Sequence, residues 1–364
     1  GAIILGYNNA EVNRAITEQL KSGIIFTLPH PLELSLSEEL VATIPCAEMV
    51  RFGKNGSDVT AGAVRLARAY TKREKIVCCG YHGWQDWYIG TTTRKIGVPE
   101  SVQKLTLTFQ YNNKERLEAI FAQNKDEIAA VIMEPIGVIE PKNNFLEEVK
   151  DLAHKNGALL IFDEIVTGLR ISLGGAQEYY GVIPDIACFG KAMGNGMPIS
   201  AIVGKKEIMR LINDVFFSFT FGGETLSLAA SLATLKFMQK NNVVSALWYK
   251  GGRLKRGIEG LIKELGFDKY CKYLGLPPRT VMNFYGNDSF DGLLIKSYFQ
   301  QECIKRGILF TGAHNISYAH SESDIKKTLD VYRDVITLTI DALENGDIEK
   351  KLIGPPVQTV FRNP

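Results

Sequence analysis

At 364 residues the chain is long enough for two domains, and its 45% apolar and 23% charged content is that of a globular protein. Forty-two Lys and Arg against forty Asp and Glu leave a formal charge of +2, so no overall field favours nucleic acid or an anionic membrane, and neither is expected as a partner. No apolar run approaches the roughly 18 residues of a membrane helix, and no start resembles a signal peptide. Six cysteines without zinc-type spacing imply reduced thiols, no metal site and a cytoplasmic setting.

The chain begins at Gly1 in mid-pattern, which suggests that a longer N-terminal segment precedes it. "GAIILGYNNAEVNRAITEQL" reads as a strand end, a turn and a helix. Asn8 or Asn9 can cap that helix, and Val12, Ile16 and Leu20 share a face. Helices are expected over 34–44 and 58–71, followed by a strand at 75–79. A helix at 114–124 (Leu117, Ile120 and Phe121 on one side) precedes a buried-type strand at 127–133. A helix at 145–156 follows, with Gly157 suited to the position after its C-cap. Apolar strands come next at 158–162, 185–189 and 199–203. Helices are expected at 225–239, 245–265, 291–306 and 322–344. Continuous apolar strands separated by helices argue for a mostly parallel sheet covered on both faces. The texture shortens after about residue 270, which suggests a smaller C-terminal domain.

In such a sheet, ligands bind where the strands end and loops begin. The polar residues at those points are Glu134, Asp163 and Lys191, with Tyr81, His82 and Gly83 after the strand at 75–79. Lys191, in "CFGKAMGNGMP", sits among apolar neighbours that can desolvate its amine and make it a nucleophile towards aldehydes. A carboxylate at the end of a buried strand needs a cationic or donating partner, and a protonated pyridine nitrogen would serve Asp163. Period-two geometry sends Asp163 and Glu164 in opposite directions, and the sequence leaves open which one faces the site. "FGKNGSDVTAGAVRLARAY" is a turn opening a helix. Gly56 allows close backbone approach, Ser57 offers a hydroxyl, and the free amides of the first turn favour an anion such as phosphate. Ser57 or Asp58 could equally be a plain N-cap. "SFTFGGETLSLAA" repeats the design, with Thr220 and a Gly222–Gly223 turn before a helix.

Together and in this order, these segments resemble the class III aminotransferase family of fold-type-I pyridoxal-phosphate enzymes, in the branch of glutamate-1-semialdehyde 2,1-aminomutase and its aminotransferase-like relatives. The similarity runs from "LGYNNAEVNRAI" to the closing "GPPVQTVFRNP". It implies an α/β fold: a mostly parallel central sheet flanked by helices, plus a smaller α+β C-terminal domain. The expected division is a remnant N-terminal segment at 1–30, a large cofactor-binding domain at 31–269 and a small domain at 270–364. The implied cofactor is pyridoxal 5′-phosphate (PLP), bound covalently by Lys191 with Asp163 on the pyridine nitrogen. Gly56 and Ser57 would hold the phosphate. Tyr81 would stack on the ring with His82 beside it, and Ile165 would cover the opposite ring face. Thr220 would reach the phosphate of a neighbouring subunit's cofactor, which implies a homodimer with shared sites. Glu134 would lie near the cofactor in support. The implied reaction is amino-group transfer between a small-molecule donor and a carbonyl acceptor, or its intramolecular 2,1-aminomutase form. Rival readings are an epimerase, racemase or decarboxylase on the same scaffold, or a non-catalytic binding protein. A nicotinamide dehydrogenase is disfavoured because no G-x-G-x-x-G follows an early strand. Three segments depart from the aminomutase pattern. "EPIGVIEP" replaces its Gly-Asn-Met stretch, Glu224–Thr225 its relatives' Asn-Pro, and "AMGNG" its triple glycine. "GTTTRKIGVPESV" at 90–102 resembles that branch's mobile loop and suits a lid.

Overall fold

The computed structural model describes residues 1–287 and 289–358. The last six residues of the "GPPVQTVFRNP" motif, 359–364, lie outside the described residues. The chain divides into two compact units. One holds Gly1–Gly137 and Pro141–Val244; the other holds Val138–Glu140 and the described chain from Ser245 on.

The first unit is built on a seven-stranded sheet. Its strands are β1 (Met49–Gly53), β2 (Lys75–Cys79), β3 (Thr106–Thr108), β4 (Ile128–Met133), β5 (Leu159–Asp163), β6 (Ile186–Phe189) and β7 (Ser200–Gly204). Their order is β1-β7-β6-β5-β4-β2-β3. Strands β3, β2, β4, β5 and β6 run parallel, whereas β7 is antiparallel to both β6 and β1. The expected mostly parallel sheet is therefore present, with one reversed strand that an all-apolar run cannot reveal. Two reversals make β1 run in the same sense as β6. Its carboxyl end at Gly53 consequently reaches the same sheet edge as Cys79, Met133, Asp163 and Phe189.

The helix Gly56–Thr71 packs on the sheet through Val59, Ala63, Val64, Leu66 and Ala67, each at most 1% exposed. They meet Ile76, Ala130, Ile161, Ile186, Cys188 and Ile202 in one core. Burying an aliphatic side chain of this size contributes about 1.5–3 kcal/mol, so this core fixes the start of the helix against the sheet edge.

Several local expectations need correction. Residues 1–7 form no strand. Instead the amides of Ile4 and Leu5 donate to Asn195 Oδ1 (3.0 and 2.9 Å), and Asn195 Nδ2 donates to Gly6 O (3.1 Å). One side chain thereby supplies the partners a neighbouring strand would have given. Of the two candidate caps, Asn9 caps Ala10–Ser22. Leu20 on that helix is 53% exposed rather than packed. The second helix begins at Pro31, earlier than expected, because His30 and Glu33 form a reciprocal capping box.

The second unit carries an antiparallel sheet, β8 (Cys271–Leu276), β9 (Arg279–Phe284) and β10 (Ala313–Asn315), in the order β10-β9-β8. With it go the helices Gly292–Lys305 and Glu322–Glu344. Its core is aromatic: Phe267, Phe284, Phe299, Phe310 and Tyr332 pack ring against ring. No described helix is long and apolar enough to cross a membrane.

Candidate active site

Four adjacent parallel strands, β6, β5, β4 and β2, end on one edge and deliver Lys191, Asp163, Glu134 and the Tyr81–His82 turn there in a row. Asp163 ends the central strand β5 and is 4% exposed. Its Oδ2 lies 2.8 Å from His82 Nδ1, and its Oδ1 accepts the Ile165 amide at 3.1 Å. His82 Nε2 lies 3.0 Å from the Cys79 carbonyl, which can only accept, so Nε2 carries a hydrogen. His82 is 1% exposed, stacks on Trp87 (6.0 Å between ring centres, 17°) and meets the edge of Tyr88. Thr60 Oγ1 donates to the His82 carbonyl at 2.8 Å, which pins this turn to the helix beneath.

The open choice between the two adjacent acids resolves clearly. Glu164 points away from Asp163 and is fully buried. It accepts from the Thr167 hydroxyl and from the amides of Ala176 and Gln177, both at 2.8 Å. Burial raises its pKa against those hydrogen bonds, which favour the carboxylate.

The helix start differs from expectation. Neither Ser57 nor Asp58 is the N-cap. Asn55 is, and Asn55 and Asp58 form a reciprocal capping box. That cap occupies the Asp58 amide and leaves the Gly56 and Ser57 amides, at the first two helical positions, without intrahelical acceptors. Ser57 Oγ accepts the Trp84 amide at 3.2 Å. Two glycines keep the cup open. A Cβ on Gly56 would lie 2.7 Å from Ile165 Cδ1, and one on Gly83 would lie 2.2 Å from Ser57 Oγ. Gly83 also has φ +101, a conformation L side chains rarely adopt. Ile165, 7% exposed, thus lies directly under Gly56.

Lys191 opens a 3₁₀ turn, Lys191–Gly194, with φ +41, and is exposed. Glu134 Oε1 accepts the Tyr81 amide at 3.2 Å, and Tyr81 is 44% exposed. Thr220 is exposed and hydrogen-bonds to none of these residues; the cap of the following helix Thr225–Lys240 is Glu224. The neighbouring thiols are inert, since burial pushes Cys79 up to about 12 and raises Cys78 and Cys188 as well. Arg306 is paired with Glu302, and Arg170 is fully buried. Sequence reasoning missed the supporting Thr60, Trp87 and Tyr88. It also missed Asn55, although the Asn-x-x-Asp spacing was a readable cap signal.

The model of the aminotransferase class-III family matches residues 1–270. The chain belongs to the class-III aminotransferases. Over 344 residues this class-III chain is 35% identical to the 3-aminobutyryl-CoA aminotransferase of Cloacimonas acidaminovorans, covering 92% of this chain and 82% of that protein. Over 360 residues it is 38% identical to the glutamate-1-semialdehyde 2,1-aminomutase of Desulforudis audaxviator, covering 91% and 83%. Among solved structures, the FumI protein of Sphingopyxis sp. MTA144, in its PLP form, superposes with a TM-score of 0.87 at 26% identity, covering 94% of this chain and 84% of that one. A glutamate-1-semialdehyde aminomutase from Pseudomonas aeruginosa PAO1 shares the fold at a TM-score of 0.81 and 21% identity, covering 92% and 82%. The α/β, fold-type-I architecture expected from the sequence is therefore the observed one.

Proposed function

We propose that this protein is a PLP-dependent enzyme that transfers an amino group between a small-molecule amino donor and a carbonyl acceptor. The observation that carries the reading is the buried Asp163–His82 pair ending the strand next to the one that delivers Lys191.

The donor set fits the cofactor. The Gly56 and Ser57 amides, without acceptors among the described residues, the Ser57 hydroxyl and the positive end of a 16-residue helix suit a phosphate. Asp163 accepts the Ile165 amide, lies 2.8 Å from His82 Nδ1 and, as a carboxylate, has capacity for a further hydrogen bond from a ring N–H. PLP, when bound, supplies an electron-withdrawing ring that eases removal of a proton from the substrate's amine-bearing carbon.

The chain's own residues do the rest. Lys191 would hold the cofactor through its amine and, once freed, its Nζ would serve as the base and acid that moves the substrate's proton. Asp163 would hold the proton on the ring nitrogen, with His82 orienting Asp163. Tyr81 and Ile165 would hold the ring, and Glu134 positions Tyr81 through its amide. The segment at 90–102, exposed from Thr93 to Gly97 with Ile96 at 99%, would close over the site and exclude water.

Thr220 would complete the site of a second copy. The bare aromatic surface beside it, Phe216 at 77% and Phe221 at 58% exposure, supports a homodimer. Six unpaired thiols support a reducing cytoplasm. The division at residues 30 and 269 belongs to the same reading.

A 2,1-aminomutase, in which donor and acceptor groups sit on one molecule, is the second reading. Relatives of that name at 34–38% identity favour it. The test is to give the purified holoenzyme an amino donor with no acceptor. Stoichiometric conversion of the cofactor's visible absorbance is expected. An unchanged spectrum with every donor tried, alongside release of carbon dioxide or epimerised substrate, would overturn the reading.

A further inference from the structure

Glu224 caps the helix Thr225–Lys240, accepting from the amides of Leu226 (2.5 Å) and Ser227 (3.2 and 3.3 Å) and from the Ser227 hydroxyl (2.5 Å). It also reaches 170 positions back along the chain. Lys54 Nζ lies 3.0 Å from Glu224 Oε2, and the two side chains are only 17% and 12% exposed.

Lys54 is the residue before Asn55, the cap of the helix that starts at Gly56. Its own amide donates to Asp58 Oδ2 at 3.1 Å, alongside the Asn55 amide at 2.9 Å. Lys54 thus belongs to the capping box that frees the Gly56 and Ser57 amides. Its side chain ties that box to the start of a second long helix.

We infer that Lys54, held by Glu224, is a positioning residue for the anion cup of Gly56 and Ser57. The inference rests on the reading of that cup as the phosphate site. Its physical basis is preorganisation. A turn of four residues can donate two amides and a hydroxyl to one anion only if its backbone is fixed beforehand, since ordering it on binding would subtract from affinity. A largely buried ion pair at the root of the turn, anchored to a capped helix, supplies that fixing. A direct charge attraction between Lys54 and the phosphate is a different mechanism, and the two predict opposite effects of removing Glu224.

The experiment compares dissociation constants of PLP and of unphosphorylated pyridoxal for the full-length protein after cofactor removal, in wild type, Lys54→Met, Glu224→Gln and the double variant. Thermal unfolding checks that each is folded. Lys54→Arg serves as the conservative variant and should retain wild-type discrimination. The expected result is that Lys54→Met and Glu224→Gln each weaken PLP about tenfold while pyridoxal changes less than about twofold. The double variant should be no worse than either single one. Tighter PLP binding by Glu224→Gln would overturn the inference in favour of direct attraction. Equal losses for both ligands, or no loss in either variant, would also overturn it. A wild-type protein that does not prefer PLP over pyridoxal would instead defeat the assignment of the cup itself.

Discussion

Replacing Asp163 by Asn keeps the shape of the site and removes its charge. The carboxylate accepts from the Ile165 amide at 3.1 Å and lies 2.8 Å from His82 Nδ1. Asparagine keeps one acceptor oxygen for that amide and turns its NH₂ to the Nδ1 lone pair, so both contacts persist as neutral hydrogen bonds. A hydrogen bond to a charged group contributes about 1.5–3 kcal/mol against about 0.5–1.5 kcal/mol for a neutral one, so the folded state should lose about 1 kcal/mol. The effect on chemistry is separate. A carboxylate beside a titrating nitrogen raises its pKa by about 1–3 units, each about 1.4 kcal/mol. Without it the ring nitrogen gives up its proton near neutral pH, and proton removal from the substrate carbon should slow about 10- to 1,000-fold. The assay is a single turnover with an amino donor, followed at the cofactor's absorbance, beside a urea unfolding curve. A folded, cofactor-loaded Asp163→Asn enzyme whose rate stays within about threefold of wild type would refute the reasoning.

Gly83→Ala should destabilise the protein by about 2–4 kcal/mol, through a strained backbone and a clash that drives Ser57 off the Trp84 amide. An unchanged urea midpoint would contradict this. In the second unit His314 is held neutral between the hydroxyls of Tyr332 (2.7 Å) and Tyr273 (3.2 Å). Burial first, and His320 after it, lowers its pKa from 6.5 to about 4. A histidine whose folded value is depressed gives up its proton more readily when folded, so its contribution is intact above pH 6.5 and is lost as pH falls towards 4. The loss should reach about 3 kcal/mol, read as a falling unfolding temperature over that window, and His314→Phe should flatten the slope. If Thr220 serves the neighbouring subunit, mixing Lys191→Ala chains with Thr220→Ala chains creates hybrid dimers with one intact site. Activity should then recover to about a quarter of wild type, whereas no recovery on mixing would place Thr220 in its own subunit's site.

The parts of the fold visible in the sequence were those with strong local signals. The buried strands β4, β5 and β6 are unbroken apolar runs, and the helix Glu322–Glu344 matched its expected limits. The three-residue β3 is too short for a periodic signal. In β1, Arg51 interrupts the apolar pattern because that side chain is exposed at the sheet's edge, and the strand was missed. The direction of β7 was hidden because an apolar run is the same read either way. The missed β1 had a consequence for the site: its direction is what brings the Lys54–Ser57 turn to the edge where Asp163 and Lys191 stand. Strand-end logic picked out Asp163, Glu134, Lys191 and the Tyr81–His82 turn. It could not separate Asp163 from Glu164, because that choice depends on the pleat, or find the Asp163–His82 pair, which spans 81 positions.

The proposed chemistry requires one covalent bond, between the cofactor aldehyde and the amine of Lys191. Reducing the holoenzyme with borohydride, digesting it and mapping the modified peptide by mass spectrometry tests it directly. The expected result is a single phosphopyridoxyl group on the peptide containing Lys191, and none on any peptide of Lys191→Ala. A label on another lysine, or no stable label on folded protein supplied with the cofactor, would contradict it.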